Sequence, residues 1–226
     1  MRKKITLFLM DVEPLADPIV FETALKQVPP ERKDKVLRFQ QKKDRLLSLG
    51  AGLLLKKAVE DAGLSEFPTL TENEFGKPEF SDIPDLYFNL SHSGKRVAVA
   101  IGNVPMGVDI EKIEKANLQI ADRFFRPMER RWIRENPEEV NERFYRMWTM
   151  KESFMKATGR GMKLSMTDFE IRKTPSGWKA VFPEDGSLWY FSEHGDTEYK
   201  IALCYTENKP SVTVRTIQIS DCLGGK

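Results

Sequence analysis

The sequence is poor in the residues that form cross-links and zinc sites. Its 226 residues include only two cysteines and two histidines. Cys204 and Cys222 lie far apart and form no CxxC or zinc-type spacing, so the sequence predicts neither a disulfide framework nor a zinc site. This cysteine usage fits a reducing compartment. The core must therefore form without covalent links, which a chain of this length can achieve.

The sequence also lacks long apolar runs and a strong net charge. Residues 5–10 form a short apolar run after basic residues, but Asp11 interrupts it, so we interpret it as a β-strand and not a signal peptide. No run is long enough to span a membrane, and we expect a cytoplasmic protein. The net charge of +2 favours binding to neither nucleic acid nor membrane, so any anion site must arise from local clustering.

The order of predicted elements repeats once along the chain. One helical region begins at Pro30 and ends near Gly63, and another begins at Pro127 and ends at Gly159. Short apolar strands are predicted at residues 86–90, 96–101, 107–111, 169–173, 178–182, 188–192, 200–205 and 212–219. We predict an α+β protein of two similar halves, residues 1–104 and 105–226, which pack on each other because no long linker separates them.

The segment Gly-Val-Asp-Ile-Glu at residues 107–111 places two carboxylates on one face of a predicted strand. Side chains alternate along a strand, so Asp109 and Glu111 point the same way. Two carboxylates that face together repel each other unless a cation lies between them, and oxygen ligands favour Mg²⁺. The alternative is a strand face exposed to solvent, which is the more common origin of an isolated pair.

The segment Trp-Thr-Met-Lys-Glu-Ser-Phe-Met-Lys at residues 148–156 is predicted to be a packed helix. Glu152 and Lys156 are four residues apart and therefore share a face. This pair is able to hold a metal-bound phosphate at the helix edge. By spacing alone, a simple surface ion pair is the favoured explanation.

His92 is flanked by two serines at the end of a predicted strand, in Phe-Asn-Leu-Ser-His-Ser at residues 88–93. Serine hydroxyls can donate hydrogen bonds to phosphate oxygens, although a histidine after a strand is commonly structural.

A separate basic segment, residues 31–57, contains nine lysines and arginines against three acidic residues. Such an excess favours a polyanion such as a nucleotide phosphate, or an acidic partner, whereas a solvated helix face is the simpler explanation.

Together, the Gly-Lys-Pro block at residues 76–78 and the three segments above resemble the surfactin-type 4′-phosphopantetheinyl transferases in order, spacing and chain length. The resemblance implies that Asp109, Glu111 and Glu152 are Mg²⁺ ligands. It makes Glu152 the candidate general base for a carrier-protein serine, with a metal-bound water as the alternative. Lys156 matches the lysine that contacts the pyrophosphate and can protonate the leaving adenosine 3′,5′-bisphosphate.

The resemblance further implies a coenzyme A site. Ser91 and His92 match residues that hold coenzyme A, with His92 expected at a phosphate. Arg32 and Lys35 lie where the family places basic residues for the 3′-phosphate. Two more matches are Ser48, at a position where relatives use a small hydroxyl residue, and Lys77, at a position beside the adenine.

The family resembles two copies of a smaller synthase fused end to end, with the active site between the halves. The first half would then bind coenzyme A, and the second would carry the metal and the catalytic residues. The implied partners are coenzyme A and apo acyl or peptidyl carrier proteins, in secondary-metabolite or fatty-acid biosynthesis, and we expect a monomer that binds no nucleic acid. Residues 113–125, including Phe124 and Phe125, would lie near the carrier-docking region, although both phenylalanines fit a core equally well.

Three other functions remain open from the sequence. The first is a relative that binds coenzyme A or a carrier protein without transfer, although all matched catalytic positions are filled. A Mg²⁺-dependent phosphohydrolase would also use the carboxylate pair and the lysine, and would need no carrier protein. A basic interaction module would leave the ordered carboxylates unexplained.

Overall fold

The first half of the chain forms a sheet with a long helix packed on it. The computed structural model describes residues 2–224. In chain order the first half contains β1 (Lys4–Asp11), α1 (Pro18–Leu25), α2 (Pro30–Arg38), α3 (Lys42–Asp61), β2 (Leu70–Glu72), β3 (Pro78–Phe80), β4 (Tyr87–Ser93) and β5 (Arg96–Gly102). The apolar run at the N-terminus is a strand, as the sequence predicts.

The second half repeats this arrangement with a five-stranded sheet, and its last strand joins the sheet of the first half. Its elements are β6 (Met106–Lys112), α4 (Leu118–Phe124), α5 (Pro127–Arg134), α6 (Val140–Thr158), β7 (Ile171–Thr174), β8 (Gly177–Val181), β9 (Leu188–Gly195), β10 (Tyr199–Tyr205), β11 (Ser211–Thr216) and α7 (Ser220–Leu223). Among residues 2–224, no helix is both long and apolar enough to cross a membrane. The α+β organisation in two similar halves is confirmed.

The helical region expected from Pro30 to Gly63 is two helices and not one. Phe39 and Gln41 have extended backbone, with ψ angles of 133° and 130°, and separate α2 from α3. The Arg45 Nε donates a hydrogen bond to the Phe39 carbonyl at 2.7 Å and secures the break. Apolar spacing continues across these few residues, so periodicity alone does not reveal a break that lets α2 fold back onto α3.

Two sheets form the framework. The first has the strand order β11-β1-β5-β4, and the second has the order β6-β10-β9-β8-β7. Strand β11 runs parallel to β1, whereas the other pairs are antiparallel. The last strand of the chain, β11, therefore forms an edge of the first sheet, beside the first strand, β1.

The halves pack on each other through a shared core. Strand β5 is buried on both faces: Val97, Val99 and Ile101 belong to the core around α3, while Ala98 and Ala100 face the other half. The shared core is completed by alternate residues of β1, β6 and β10, namely Ile5, Leu7, Met106, Val108, Ile110, Ile201 and Leu203. Because side chains alternate along β6, burial of Val108 and Ile110 in this core directs Asp109 to the opposite face, toward α6.

Candidate active site

Strands β4 and β6, the neighbouring edges of the two sheets, are joined by side chains. Three hydrogen bonds of 2.7–2.8 Å connect them: Val108 N to Asn89 Oδ1, Ser91 Oγ to Asp109 Oδ1, and Ser93 Oγ to Glu111 Oε2. Asn89, Ser91 and Ser93 are alternate residues of β4 and so share one face. We call this row of bonds the β4–β6 seam. It brings the serines of the first half to the carboxylates of the second.

Helix α6 lies directly over β6 because Gly107 has no side chain. A Cβ atom at Gly107 would collide with the Ser153 carbonyl oxygen in α6. This close approach places the Lys156 Nζ 2.6 Å from Asp109 Oδ1 and 2.8 Å from Ser91 Oγ. Helix α6 thus places the Lys156 ammonium at the β4–β6 seam.

Asp109 is the centre of this cluster. The residue is only 3% exposed, and its Oδ1 accepts the bonds from Ser91 and Lys156. Its Oδ2 is buried and has no hydrogen-bond partner within residues 2–224. A buried carboxylate oxygen without a donor is unfavourable, so this atom is oriented to accept a ligand that is positively charged or donates a hydrogen bond.

Glu111 and Glu152 lie within electrostatic range of Asp109. Burial is the main cause that raises the pKa of each carboxyl group, and the negative charge of Asp109 raises both further. Among the described residues, no three or more aspartate, glutamate, histidine or cysteine side chains lie close enough together to hold a metal ion. The magnesium site expected from Asp109, Glu111 and Glu152 therefore stays a prediction.

His92 lies beside the same cluster, although much of the residue is exposed. Partial burial of its ring lowers the pKa, and the charge of Lys156 lowers it further, while Asp44 and Asp109 act in the opposite direction. The imidazole is therefore biased toward its neutral form. The charges that act on it come from Asp44, at the start of α3, and from Lys156, near the end of α6.

The remaining coenzyme A candidates of the first half lie on α2 and α3. The Arg32 side chain runs over Gly52, where a Cβ atom would be 3.0 Å from its Cγ, and burial lowers the pKa of this arginine. The Ser48 hydroxyl is buried and has no hydrogen-bond partner among the described residues. Lys35 is exposed. Within residues 2–224, Arg32, Lys35 and Ser48 make no hydrogen bond or ion pair to Asp109 or Lys156.

Lys77 is positioned differently from the other basic candidates. It follows the turn between β2 and β3, and its Nζ donates to the carbonyl oxygens of Met106 and Ala157 at 3.3 and 3.2 Å. Its ammonium is thus directed at the backbone of the second half. Burial lowers the pKa of this half-buried group.

Known proteins resemble this chain over both halves. A profile of the 4′-phosphopantetheinyl transferase superfamily matches residues 105–204, and a profile described as 4′-phosphopantetheinyl transferase, N-terminal, matches residues 15–103. The 4′-phosphopantetheinyl transferase Sfp of Bacillus subtilis is 34% identical over 191 residues, which cover 81% of this chain and 84% of that protein. The chain belongs to the 4′-phosphopantetheinyl transferases. It is an enzyme of that class.

A second transferase, gsp, agrees with this assignment. The 4′-phosphopantetheinyl transferase gsp of Aneurinibacillus migulanus is 36% identical over 160 residues, covering 70% of this chain and 67% of the relative. A match to the structure of the holo-[acyl-carrier-protein] synthase from Thermotoga maritima covers 47% of this chain and 64% of that protein's chain. The sequence identity is 24% and the TM-score is 0.41. The resemblance drawn from the four sequence blocks is confirmed.

The transferase contains a buried ion pair that the sequence analysis missed. The Lys151 side chain is fully buried, and its Nζ lies 3.0 Å from Glu129 Oε2 in α5. It also donates to the carbonyl oxygens of Met166 and Phe169 at 2.8 and 3.1 Å. This network fixes the rotation of α6 about its axis, so that the next residue, Glu152, faces the seam. The available signal was the position of Lys151 between the apolar residues Met150 and Phe154 of a helix predicted to be packed.

The two phenylalanines expected near the carrier-docking region contribute to the core. Phe125 is 3% exposed and packs near Phe144 and Trp148, with ring centroids 5.8 and 6.2 Å away. Phe124 is partly buried against the same cluster. For Phe125 the core interpretation is therefore correct, and carrier docking by residues 113–125 stays a prediction.

Proposed function

We propose that this transferase moves the 4′-phosphopantetheine group of coenzyme A to a serine hydroxyl of an apo acyl or peptidyl carrier protein. The reaction depends on Mg²⁺ and releases adenosine 3′,5′-bisphosphate. The observation that carries the proposal is the Asp109 cluster, where both halves meet. Ser91 of the first half and Lys156 of the second bond to the same carboxylate oxygen, while the other oxygen is buried without a partner.

The donor set fits a hard divalent cation. The free Asp109 Oδ2 and the carboxyl groups of Glu111 and Glu152 offer oxygen ligands, which Mg²⁺ prefers. Repulsion from Asp109 helps to raise the pKa of both glutamates, and a cation would relieve that repulsion. When bound, Mg²⁺ would neutralise charge on the pyrophosphate oxygens of coenzyme A.

The side chains of α6 suit the proton and charge transfers of the reaction. The serine oxygen forms a bond to the β-phosphorus of coenzyme A, and the bond from that phosphorus to the bridging oxygen breaks. Glu152 accepts the serine proton, and its raised pKa makes it a stronger base than an exposed glutamate. The leaving adenosine 3′,5′-bisphosphate retains the bridging oxygen, and the Lys156 ammonium offsets its new charge and supplies a proton.

The first half supplies the coenzyme A contacts in this proposal. Arg32 and Lys35 on α2 bind the 3′-phosphate, and the unpartnered Ser48 hydroxyl offers a buried donor on the adjacent helix. His92 and Ser91 bind phosphate oxygens at the junction of the halves. A neutral His92 still donates one hydrogen bond, so this role does not require its protonation.

Intact-mass spectrometry of the carrier protein tests the reaction directly. We expect an apo carrier, incubated with the transferase, Mg²⁺ and coenzyme A, to gain the mass of one phosphopantetheine group. The gain should disappear with EDTA and when the acceptor serine of the carrier is replaced by alanine. Liquid chromatography of the same mixture should show adenosine 3′,5′-bisphosphate in equal amount.

Peptidyl and fatty-acid carriers should be tested in parallel, because either class meets the chemical requirement. Failure to modify both classes, despite calorimetric binding of coenzyme A, would contradict the proposed reaction. That result would favour a relative that binds coenzyme A without transfer.

A further inference from the structure

The turn between β2 and β3 reaches from the first half to the catalytic helix of the second. Asn73 organises this turn: its Oδ1 accepts hydrogen bonds from the amides of Phe75 and Lys77 at 2.9 and 3.0 Å. Gly76 adopts a left-handed conformation with φ of +81°, which a side chain would disfavour. The turn is therefore held in one shape before it contacts α6.

Two side chains of this turn bond to the end of α6. The Lys77 Nζ donates to the Ala157 carbonyl at 3.2 Å, and the Asn73 Nδ2 donates to the Gly159 carbonyl at 3.2 Å. Carbonyl groups in the last turn of a helix have no partner within the helix. A cation at this end also interacts favourably with the helix dipole. The first half thus supplies two hydrogen-bond donors to the C-terminal end of α6, in addition to the helix's own cap residue Gly159.

The same ammonium also contacts β6. The Lys77 Nζ donates to the carbonyl of Met106, the first residue of that strand, at 3.3 Å. One lysine therefore bonds to both elements that carry the candidate carboxylates. Its Ala157 contact is adjacent to Lys156, and its Met106 contact lies three residues before Asp109. These two residues form the 2.6 Å ion pair at the seam.

We propose that Lys77 is a positioning residue for phosphopantetheinyl transfer, which holds β6 and α6 in the register that aligns Asp109 with Lys156. This inference rests on the proposed function. A displacement of about 1 Å between reacting groups can reduce a rate by about a hundredfold. Loss of Lys77 should therefore reduce turnover, whereas binding of coenzyme A should change little because the ammonium is directed at backbone carbonyls.

Three variants test this role. Lys77→Met removes the donor but preserves most of the side-chain volume, and Lys77→Arg retains a cationic donor. Lys26→Met is the control, because Lys26 is exposed and makes no side-chain hydrogen bond or ion pair among the described residues. For each variant, kcat is measured by carrier mass spectrometry at saturating coenzyme A, and Kd for coenzyme A is measured by calorimetry.

We expect Lys77→Met to lower kcat by about tenfold or more and to leave Kd for coenzyme A within about twofold. Lys77→Arg should recover part of the lost turnover, and Lys26→Met should match the wild type. A normal kcat in Lys77→Met would overturn the inference. So would a raised Kd with normal kcat, which would instead indicate a nucleotide contact.

If Lys77→Met does not fold, Lys77→Gln serves the same purpose, because its amide is too short to reach both carbonyls. The same loss confined to kcat is expected, and a normal kcat would overturn the positioning role. Absence of transfer by the wild-type protein on any carrier would overturn the proposed function and this inference together. Normal wild-type transfer with unaffected Lys77 variants would overturn the inference alone.

Discussion

Helices α3 and α6 occupy matching places in the two halves but bury different side chains. Helix α3 packs on β1 and β5, and α6 packs on β6 and β10. The buried residues of α3 are apolar or glycine except Ser48, whereas α6 also buries Thr149, Lys151 and Ser153. Burial of polar groups is unfavourable unless each has a partner. The buried face of α3 thus serves mainly in apolar packing. The buried face of α6 also contains polar side chains, which orient the candidate catalytic residues.

The same asymmetry extends to the site itself. The carboxylates of the cluster, Asp109, Glu111 and Glu152, come from the second half, and the first half contributes Ser91 and Ser93. Among residues 2–224, the two similar halves therefore contribute unequal sets of side chains to this cluster. The comparison predicts that equivalent changes in the two halves have unequal effects.

The largest difference should concern stability. Lys151→Met in α6 leaves Glu129 buried without its cation, and we expect it to lower the free energy of unfolding by about 3–5 kcal/mol. Lys57→Met in α3 removes a partly exposed pair with Asp61 and should cost less than about 1 kcal/mol. Urea unfolding measures both.

A double variant separates the charge from the packing. Adding Glu129→Gln to Lys151→Met removes the uncompensated carboxylate, so part of the lost stability should return. Equal costs for Lys57→Met and Lys151→Met would contradict the claimed difference between the helices.

The next effect concerns turnover. Asp109→Ala removes the carboxylate shared by both halves, and we expect kcat to fall by at least about a hundredfold while the cooperative unfolding transition remains. Asp34→Asn, an exposed change on α2, should keep kcat within about twofold of the wild type. Transfer is measured on the carrier protein at saturating Mg²⁺. Near-normal turnover in Asp109→Ala would remove this carboxylate from the mechanism.

The smallest effect should concern nucleotide affinity in the first half. Arg32→Ala should weaken binding of coenzyme A about tenfold, because one charge-assisted contact is lost, and should leave binding of 3′-dephospho-coenzyme A unchanged. Lys33→Ala, an exposed change on the same helix, is the control. Calorimetry with both ligands decides the result, and equal losses for the two ligands would exclude Arg32 from the 3′-phosphate.

Local patterns were sufficient for the residues that share an element. Strand alternation placed Asp109 and Glu111 on one face, and the four-residue spacing placed Glu152 and Lys156 on another. These patterns predicted the groups but not their partners. The Lys156 ammonium bonds to Asp109, across two elements, and not to Glu152 in its own helix.

Contacts between distant segments were beyond the reach of the sequence patterns. Nothing in the spacing of Lys151 indicated that its partner would be Glu129, since α5 and α6 meet only in the folded protein. The hydrogen bond from Ser93 to Glu111 likewise depends on two sheet edges that lie side by side. Each of these contacts depends on how the helices and strands pack together. The sequence patterns predict those elements but not their packing.

The sequence by itself determined the two-half α+β organisation, because hydrophobic periodicity is a local property of the chain. Through its resemblance to known transferases it also determined the family and predicted the candidate groups of the site. Only the tertiary structure decided that the Lys77 ammonium bonds to the end of α6 and the start of β6. It likewise decided that Asp109 retains one unpartnered oxygen. The physical reason is that hydrogen-bond satisfaction of a buried group depends on every element packed around it.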